Sequence, residues 1–221
     1  MLLRHALALA ATLVCLAFGA HAQEGPWKLV NPPQPTENNG KIEVIEFFWY
    51  GCPHCYALEP ELVAWLKHAP PDVDFKRVPA YPSESWGEAA KLFYTLESMG
   101  LLPQLHEKAF DAIHKEQINL FNKRQRDEWL KKNGVDPAKY DAAEKSFTVA
   151  TKLARAKQMT QAYHVDGVPR VVVGGKYYTS SEQAGGASKV FAVVDQLVDM
   201  ARREQKSAAA PAPAKSAAAK K

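Results

Sequence analysis

The stretch that decides the fold is IEVIEFFWYGCPHCYALEPELVAWL, residues 42–66. It opens with an apolar, aromatic-rich run that only Glu43 and Glu46 interrupt, which predicts a buried central strand. Gly51 ends this strand, and the motif CPHC follows directly. The apolar residues after the motif recur at helical spacing: Leu58, Leu62, Trp65 and Leu66. The order is therefore a strand, a tight turn and a helix, with two cysteines at the start of the helix.

The next part of the chain predicts a second strand and then a block of helices. Pro60 should kink the first helix, and the pair Pro70-Pro71 ends it. Residues 73–78 then predict a strand. Helical patterns follow over residues 85–99, 103–115 and 123–132, and a long helical stretch covers about 138–163. Asp136 and Pro137 supply its N-cap and its first helical position.

Strands return near the C-terminus. Residues 170–173 lead into Gly174-Gly175, and residues 176–178 lead out, which is the pattern of a tight hairpin. Residues 188–204 carry an apolar stripe at helical spacing and predict the last helix. The sequence therefore predicts an α/β domain that an all-helical insertion interrupts.

The N-terminal residues predict a secretory signal peptide. A basic start at Arg4 precedes an apolar run and the triplet Ala20-His21-Ala22, so we expect cleavage after Ala22. The alternative, a transmembrane anchor, needs about 20 apolar residues, and this run is shorter. Cleavage would remove Cys15 and deliver the protein to the periplasm.

Residues 205–221 predict a disordered tail rich in alanine, proline and lysine. The segment has no aromatic residue, no acid and nothing apolar larger than alanine, so it cannot bury enough surface to offset its ordering entropy. The chain has 28 basic and 24 acidic residues, and five of the basic ones lie in this tail or in the signal peptide. Because the remainder is close to neutral, the basic balance does not indicate a nucleic-acid partner.

The mature chain would keep only Cys52 and Cys55, and their spacing is typical of two kinds of site. One is half of a zinc site, but four-ligand zinc needs a second ligand pair at suitable spacing. We interpret His106, His114 and His164 as ordinary histidines that supply no such pair. A crosslink over so short a loop stabilises little. The cysteines are therefore predicted to serve redox chemistry, with no metal and no cofactor.

The redox interpretation follows from the positions of the cysteines on the predicted helix. Unpaired N–H groups and the dipole at a helix start favour an anion, so Cys52 should carry the reactive thiolate. His54 can add positive charge or a hydrogen-bond donor. Cys55 lies deeper in the helix and should attack a mixed disulfide at Cys52, which releases the partner.

Two segments resemble a known family. Residues 47–56, FFWYGCPHCY, resemble the active-site segment of the DsbA family, and residues 167–169, Gly-Val-Pro, resemble its cis-proline loop. The helical insertion matches as well. The resemblance implies a thioredoxin fold with an inserted all-helical domain. The implied boundaries are a thioredoxin-like domain over 23–81 and 164–204, the insertion over 82–163 and the tail over 205–221.

The resemblance also implies roles for individual residues. The implied catalytic motif consists of Cys52, Pro53, His54 and Cys55, and the family itself is known for a strongly depressed pKa of the first cysteine. Val168 and Pro169 would face the cysteines and align the backbone of a bound substrate. Glu46 matches a buried family glutamate, and Arg77 stands where the family usually has a lysine that pairs with it. This is a departure, because arginine stays charged whereas a buried lysine can lose its proton.

The implied activity is the donation of disulfides to unfolded exported proteins that have free cysteines. A quinone-linked inner-membrane oxidase of the DsbB type would recharge the cysteine pair. Two alternatives stay open, a periplasmic reductase or isomerase on the same fold and a chaperone without redox chemistry. Isomerases of this superfamily usually carry an N-terminal dimerisation domain, and residues 23–40 are too few for one. We expect a monomer with no nucleic-acid partner.

Overall fold

The computed structural model describes residues 25–37 and 40–209, so the expected signal peptide and most of the expected tail lie outside the described residues. Five strands form a single mixed sheet in the order β1-β5-β4-β2-β3. The strands are β1 Lys28–Leu29, β2 Ile42–Phe48, β3 Val73–Pro79, β4 Arg170–Val173 and β5 Tyr177–Thr179. β2 runs parallel to β3 and antiparallel to β4.

The central strand is the one that the sequence predicts. All seven residues of β2 are buried, because β3 and β4 flank the strand and helices cover both of its faces. Successive side chains of a strand point to opposite faces, so Ile42, Val44 and Glu46 share one face. Glu46 is therefore an interior residue of the sheet and does not lie at an edge.

Eight α-helices and one short 3₁₀ helix, Ala187–Lys189, are present in the described part of the chain. The α-helices are α1 Pro53–Leu66, α2 Glu84–Ser98, α3 Leu102–His114, α4 Lys123–Lys132, α5 Pro137–Glu144, α6 Phe147–Ala162, α7 Ser181–Ala184 and α8 Val190–Ala209. Helices α2 to α6 lie between β3 and β4, where the sequence predicts the insertion. None of the helices in the described residues is both long and apolar enough to cross a membrane.

The structure corrects the sequence-based boundaries at two helices. The long helical stretch expected over 138–163 is two helices, because the Ser146 side chain accepts a hydrogen bond from the Val149 N–H at 3.3 Å and caps a new helix. The last helix was expected over 188–204, with a disordered tail from Gln205, yet α8 continues to Ala209. Alanine, lysine and glutamine are good helix formers, so the helix extends past its last core contact.

The hairpin between β4 and β5 has the turn that its glycines predict. Gly174 and Gly175 have φ values of 59° and 65°, which suit glycine far better than other residues. A side chain at Gly175 would also lie 2.1 Å from the Gln34 carbonyl oxygen, because the N-terminal segment passes directly over the turn. The turn therefore needs glycine for its conformation and for the space around it.

Candidate active site

The cysteine pair lies at the N-terminus of α1. Cys52 is the N-cap residue, with extended backbone angles, and its N–H donates to the Trp49 carbonyl at 2.9 Å. The Cys52 residue keeps 8% of its surface exposed, whereas Cys55 is completely buried. Both are free thiols in this structure. The geometry leaves Cys52 as the sulfur that an incoming thiolate or disulfide can reach.

The two thiols have opposite electrostatic environments. The pKa of Cys52 falls to about 6, because hydrogen bonds from the Cys55 thiol and from the N–H groups of Cys55 and His54 outweigh its partial burial. The charge of His54 adds to this effect. Burial raises the pKa of Cys55 far above its ordinary value, and Cys52 and Glu46 raise it further. Cys52 is therefore the thiolate of the pair, and Cys55 holds its proton.

The two residues between the cysteines are exposed. Pro53 takes the first helical position, where its missing N–H costs no hydrogen bond. His54 lies on the surface beside Cys52 and borders a groove of about 800 Å³. The groove runs along the loop of Val168 and Pro169 and along the segment 180–187.

The predicted proline loop lies next to Cys52. The Val168–Pro169 peptide bond is cis, and the Cys52 sulfur lies 3.4 Å from the Val168 carbonyl oxygen, to which it can donate when the thiol is protonated. Arg170 anchors this loop, since its guanidinium donates to the His164 carbonyl at 2.9 Å, pairs with Asp166 and stacks on the Tyr178 ring at 4.2 Å. The loop thus presents backbone groups beside the reactive sulfur.

Gly51 also leaves room for the ring of Trp49. The ring of Trp49 covers it, and a side chain at this position would lie 2.5 Å from that ring. Trp49 in turn stacks on Trp86 of α2, with ring centroids 4.5 Å apart. Aromatic packing therefore ties the turn before Cys52 to the helical insertion.

A buried cluster of charges lies beneath the cysteine pair. Arg77 makes a bidentate ion pair with Glu59, with both N–O distances at 2.7 Å, and its Nη1 atom lies 3.6 Å from Glu46. Burial raises the pKa of Glu46 to about 7, although Arg77 opposes this shift. Burial would also raise the pKa of Glu59, but the bidentate ion pair with Arg77 outweighs this effect and holds that pKa below its ordinary value.

Two members of this cluster, Glu59 and His106, were not predicted from the sequence. Glu59 follows Cys55 by four residues, so helical spacing places both on one face of α1 and could have indicated it. His106 is buried and contacts Arg77, and its Nδ1 atom lies 2.7 Å from the hydroxyl of Tyr50. Nothing in the sequence near His106 indicates this, because the contact depends on how α3 packs against α1 and α2.

The acidic groups that lie closest together outside this cluster do not indicate a metal site. In the part of the chain that the structure describes, Glu37, Glu43 and Asp74 surround the ammonium of Lys76 at 2.7, 2.8 and 3.4 Å. The lysine already supplies the positive charge that such a group would otherwise offer to a cation.

Comparisons with known proteins identify the family of this chain. The family model described as DSBA-like thioredoxin domain matches residues 71–198 of this chain. A protein of Bordetella parapertussis named thiol:disulfide interchange protein DsbA is 46% identical over 178 residues, which cover 79% of this chain and 83% of that protein. The chain belongs to the DsbA family.

Solved structures of DsbA proteins share the fold. The crystal structure of Pseudomonas aeruginosa DsbA aligns with a TM-score of 0.77 and 40% identity, over 82% of this chain and 95% of that one. The oxidoreductase NmDsbA1 from Neisseria meningitidis aligns with a TM-score of 0.73 and 28% identity, over 82% and 94%. The predicted thioredoxin fold with a helical insertion is confirmed, and this DsbA family member is a thiol:disulfide oxidoreductase.

Proposed function

We propose that this protein donates its Cys52–Cys55 disulfide to exported proteins that are still folding, and that an inner-membrane oxidase of the DsbB type re-forms it. The observation that carries the proposal is the asymmetry of the two thiols, one with a pKa near 6 and one with its pKa strongly raised. A fold that stabilises the Cys52 thiolate stabilises the reduced state. By the thermodynamic cycle, the oxidised state is then a stronger oxidant.

The proposed reaction begins when a substrate thiolate attacks Cys52 of the oxidised pair. The Cys52–Cys55 bond breaks, a mixed disulfide forms, and Cys55 leaves as a thiolate that takes up a proton. A second substrate thiolate then attacks the substrate sulfur of the mixed disulfide, and Cys52 leaves as the stabilised thiolate. The substrate loses two electrons and two protons; the protein gains both electrons and one proton, which Cys55 holds, and the other proton goes to solvent.

Val168 and Pro169 are proposed to hold the substrate during these steps. The Val168 carbonyl lies within 3.4 Å of the Cys52 sulfur, so a substrate backbone beside the loop would place its own cysteine against Cys52. The groove that begins at this loop and at His54 offers the space for the residues that flank the substrate cysteine. Glu46 is proposed to exchange the proton of Cys55, whose pKa it raises.

The expected location is the periplasm, which the predicted signal peptide and the redox chemistry both favour. Intact-mass analysis of exported protein should give a chain that begins at Gln23. A retained Cys15 would contradict both the location and the number of cysteines in the mature protein.

The central test is the reduction potential of the Cys52–Cys55 couple against glutathione. A strongly oxidising value supports the disulfide donor, whereas a value near that of thioredoxin supports the reductase. In cells, Cys55→Ser should accumulate mixed disulfides with substrates, because Cys55 can no longer attack the mixed disulfide at Cys52 and release the partner, and Cys52→Ser should not. A double Cys→Ser variant that still restores function would support the chaperone.

The proposed membrane partner has its own test. Reduced protein is added to inner-membrane vesicles with and without an added quinone, and the loss of free thiols is measured. Quinone-dependent oxidation supports a DsbB-type partner. Oxidation at the same rate in vesicles that lack the oxidase would contradict it.

A further inference from the structure

The N–H groups of Arg77, buried beneath the cysteines, are shared unequally among the neighbouring acceptors. Arg77 directs Nη2 to one oxygen of Glu59 and Nη1 to the other, at 2.7 Å each. The Nη1 atom also contacts His106 Nε2. Glu46 is buried beside the same guanidinium, yet its Oε2 atom has no hydrogen-bond partner and lies 3.6 Å from Nη1. Both N–H groups of Nη1 therefore point away from Glu46.

The contact with Arg77 decides the protonation of His106. His106 Nε2 lies 3.7 Å from Glu59 Oε2, which is too far for a hydrogen bond, whereas it lies within hydrogen-bond distance of Arg77 Nη1. A guanidinium can only donate, so in this arrangement Nε2 accepts and the ring proton lies on Nδ1. The Nδ1–H group then donates to the Tyr50 hydroxyl oxygen at 2.7 Å. Burial lowers the pKa of His106, which keeps the ring neutral at neutral pH. Both ring nitrogens are thus occupied, one by Arg77 and the other by the turn before Cys52.

We propose that His106 is a positioning residue of the redox centre: it takes the Arg77 N–H that would otherwise bond Glu46, so that the Glu46 carboxyl can exchange the Cys55 proton. Glu46 cannot find this donor elsewhere in the cluster. Glu59 is an ionised acceptor, and the Tyr50 hydroxyl makes no hydrogen bond to Glu46 Oε2. The residue that keeps Glu46 protonatable is therefore in the helical insertion, although Glu46 and both cysteines belong to the thioredoxin-like part.

The titratable groups around Glu46 come from β3, α1, α3 and the turn before Cys52, whereas β4 places the apolar Val171 beside it. Arg77 approaches from β3, Glu59 and Cys55 from α1, and His106 from α3, with Tyr50 in the turn. Of these, only Arg77 favours the ionised carboxylate. A charge-assisted hydrogen bond to a carboxylate lowers its pKa by about 1 to 3 units. One N–H turned from His106 to Glu46 would therefore move its titration out of the neutral range.

Two conservative variants separate the contact with Arg77 from the contact with Tyr50. The Gln side-chain oxygen can reach the position of Nε2, so His106→Gln keeps an acceptor for Arg77. The shorter Asn side chain reaches only the position of Nδ1, so His106→Asn keeps a donor for Tyr50 and frees the Arg77 N–H. Both substitutions leave a neutral polar residue of similar character in the same pocket.

The test is the titration of the Glu46 carboxyl carbon, followed by ¹³C NMR in reduced protein and assigned with Glu46→Gln. His106→Asn should lower the Glu46 midpoint by about one pH unit, and His106→Gln should leave it near the wild-type value. Phe110→Leu is the matched control, since it perturbs the same face of α3 next to His106 without touching Arg77. An unchanged midpoint in His106→Asn would overturn the proposal, as would an equal shift in Phe110→Leu.

This inference rests on the proposed proton exchange between Glu46 and Cys55, and kinetics test that part separately. The rate at which oxidised glutathione oxidises the reduced protein is measured against pH in the same variants. In His106→Asn, the pH at the inflection of this rate profile should be lower by the same amount as the Glu46 midpoint measured by NMR. A shifted Glu46 midpoint together with an unshifted inflection of the rate profile would support the role of the His106 contact with Arg77. It would contradict the proton exchange between Glu46 and Cys55.

Discussion

The two halves of helix α1 pack against the same face of β2, but their surroundings differ. The C-terminal half packs Leu62 and Trp65 against Ile42 and Val44 of β2 and against the apolar stripe of α8. The N-terminal half carries both cysteines and Glu59. On the same face of β2, the residue that follows Val44 is Glu46, so the apolar series ends there. One helix therefore spans an apolar core and a buried charge cluster.

The difference shows how the fold divides stability from reactivity. Burial of apolar surface contributes roughly 25 cal/mol per Å², so the C-terminal half anchors the helix. Charges removed from water cost free energy that their mutual attraction only partly returns, so the N-terminal half is a weak source of stability. What it provides is a set of fixed charges beneath Cys55, close enough to raise the pKa of its thiol.

The largest effect is expected where the charge cluster loses its only cation. Arg77→Met leaves Glu46 and Glu59 buried without a counter-charge, which should cost about 3 to 5 kcal/mol of stability at pH 7. The loss should shrink at acid pH, because the protonated carboxyls no longer need the cation. Denaturant unfolding at pH 7 and pH 4 measures both, with Arg77→Lys as the charge-retaining control. A loss equal at both pH values would contradict the ionic interpretation.

A substitution in the apolar, C-terminal half of α1 should lower stability without changing the redox chemistry. Leu62→Ala removes a fully buried side chain and should destabilise the protein by about 3 kcal/mol. The reduction potential of the Cys52–Cys55 couple should stay unchanged, since no charge near the thiols moves. Denaturant unfolding and a glutathione titration of the same sample check both statements. A large shift in potential would show that the two halves of α1 are coupled.

A smaller effect should distinguish the two redox states. The Cys52–Cys55 loop is too short for its crosslink to stabilise much, whereas reduction creates a thiolate with a pKa of about 6 against roughly 8.5 in the unfolded chain. The reduced protein should therefore be more stable at pH 7 by on the order of 1 kcal/mol.

Because the folded pKa is depressed, this advantage is complete above the unfolded pKa and disappears as the pH falls through about 6. Unfolding of both redox forms at pH 7 and pH 4 checks the sign. His54→Ala should narrow the difference, since its charge contributes to the depressed pKa. An oxidised form at least as stable as the reduced form at pH 7 would refute the thiolate argument.

The smallest effect is expected at the end of the chain. Truncation after Glu204 removes the final helical residues together with the expected tail, and the residues 205–208 are exposed. Glu204 itself remains and keeps its hydrogen bond with Tyr177 at 2.6 Å. Stability should change by less than about 0.5 kcal/mol, and oxidase activity should not change. A clear loss of either would assign the removed segment a docking role.

Much of the redox centre follows from local sequence. The strand, the turn and the helix start are adjacent along the chain, so the pattern around Cys52 and Cys55 predicted which thiol is exposed and which is buried. The hairpin at Gly174 and Gly175 was predictable for the same reason. The break at Ser146 was missed because helical patterns lie on both sides of it, and only the cap shows where one helix ends.

The sequence by itself determined the order of the elements, the CPHC motif at a helix start and the burial of Glu46 within an apolar strand, because each depends on neighbours a few residues away. Only the tertiary structure decided what surrounds them. It brings the Val168 carbonyl to Cys52 across 116 residues, and it sets Glu59, His106 and Glu46 around one guanidinium. Which acceptor receives an Arg77 N–H depends on differences of about an ångström, since hydrogen bonds weaken steeply with distance and angle. Such differences arise from the packing of β2, β3, α1 and α3 against each other.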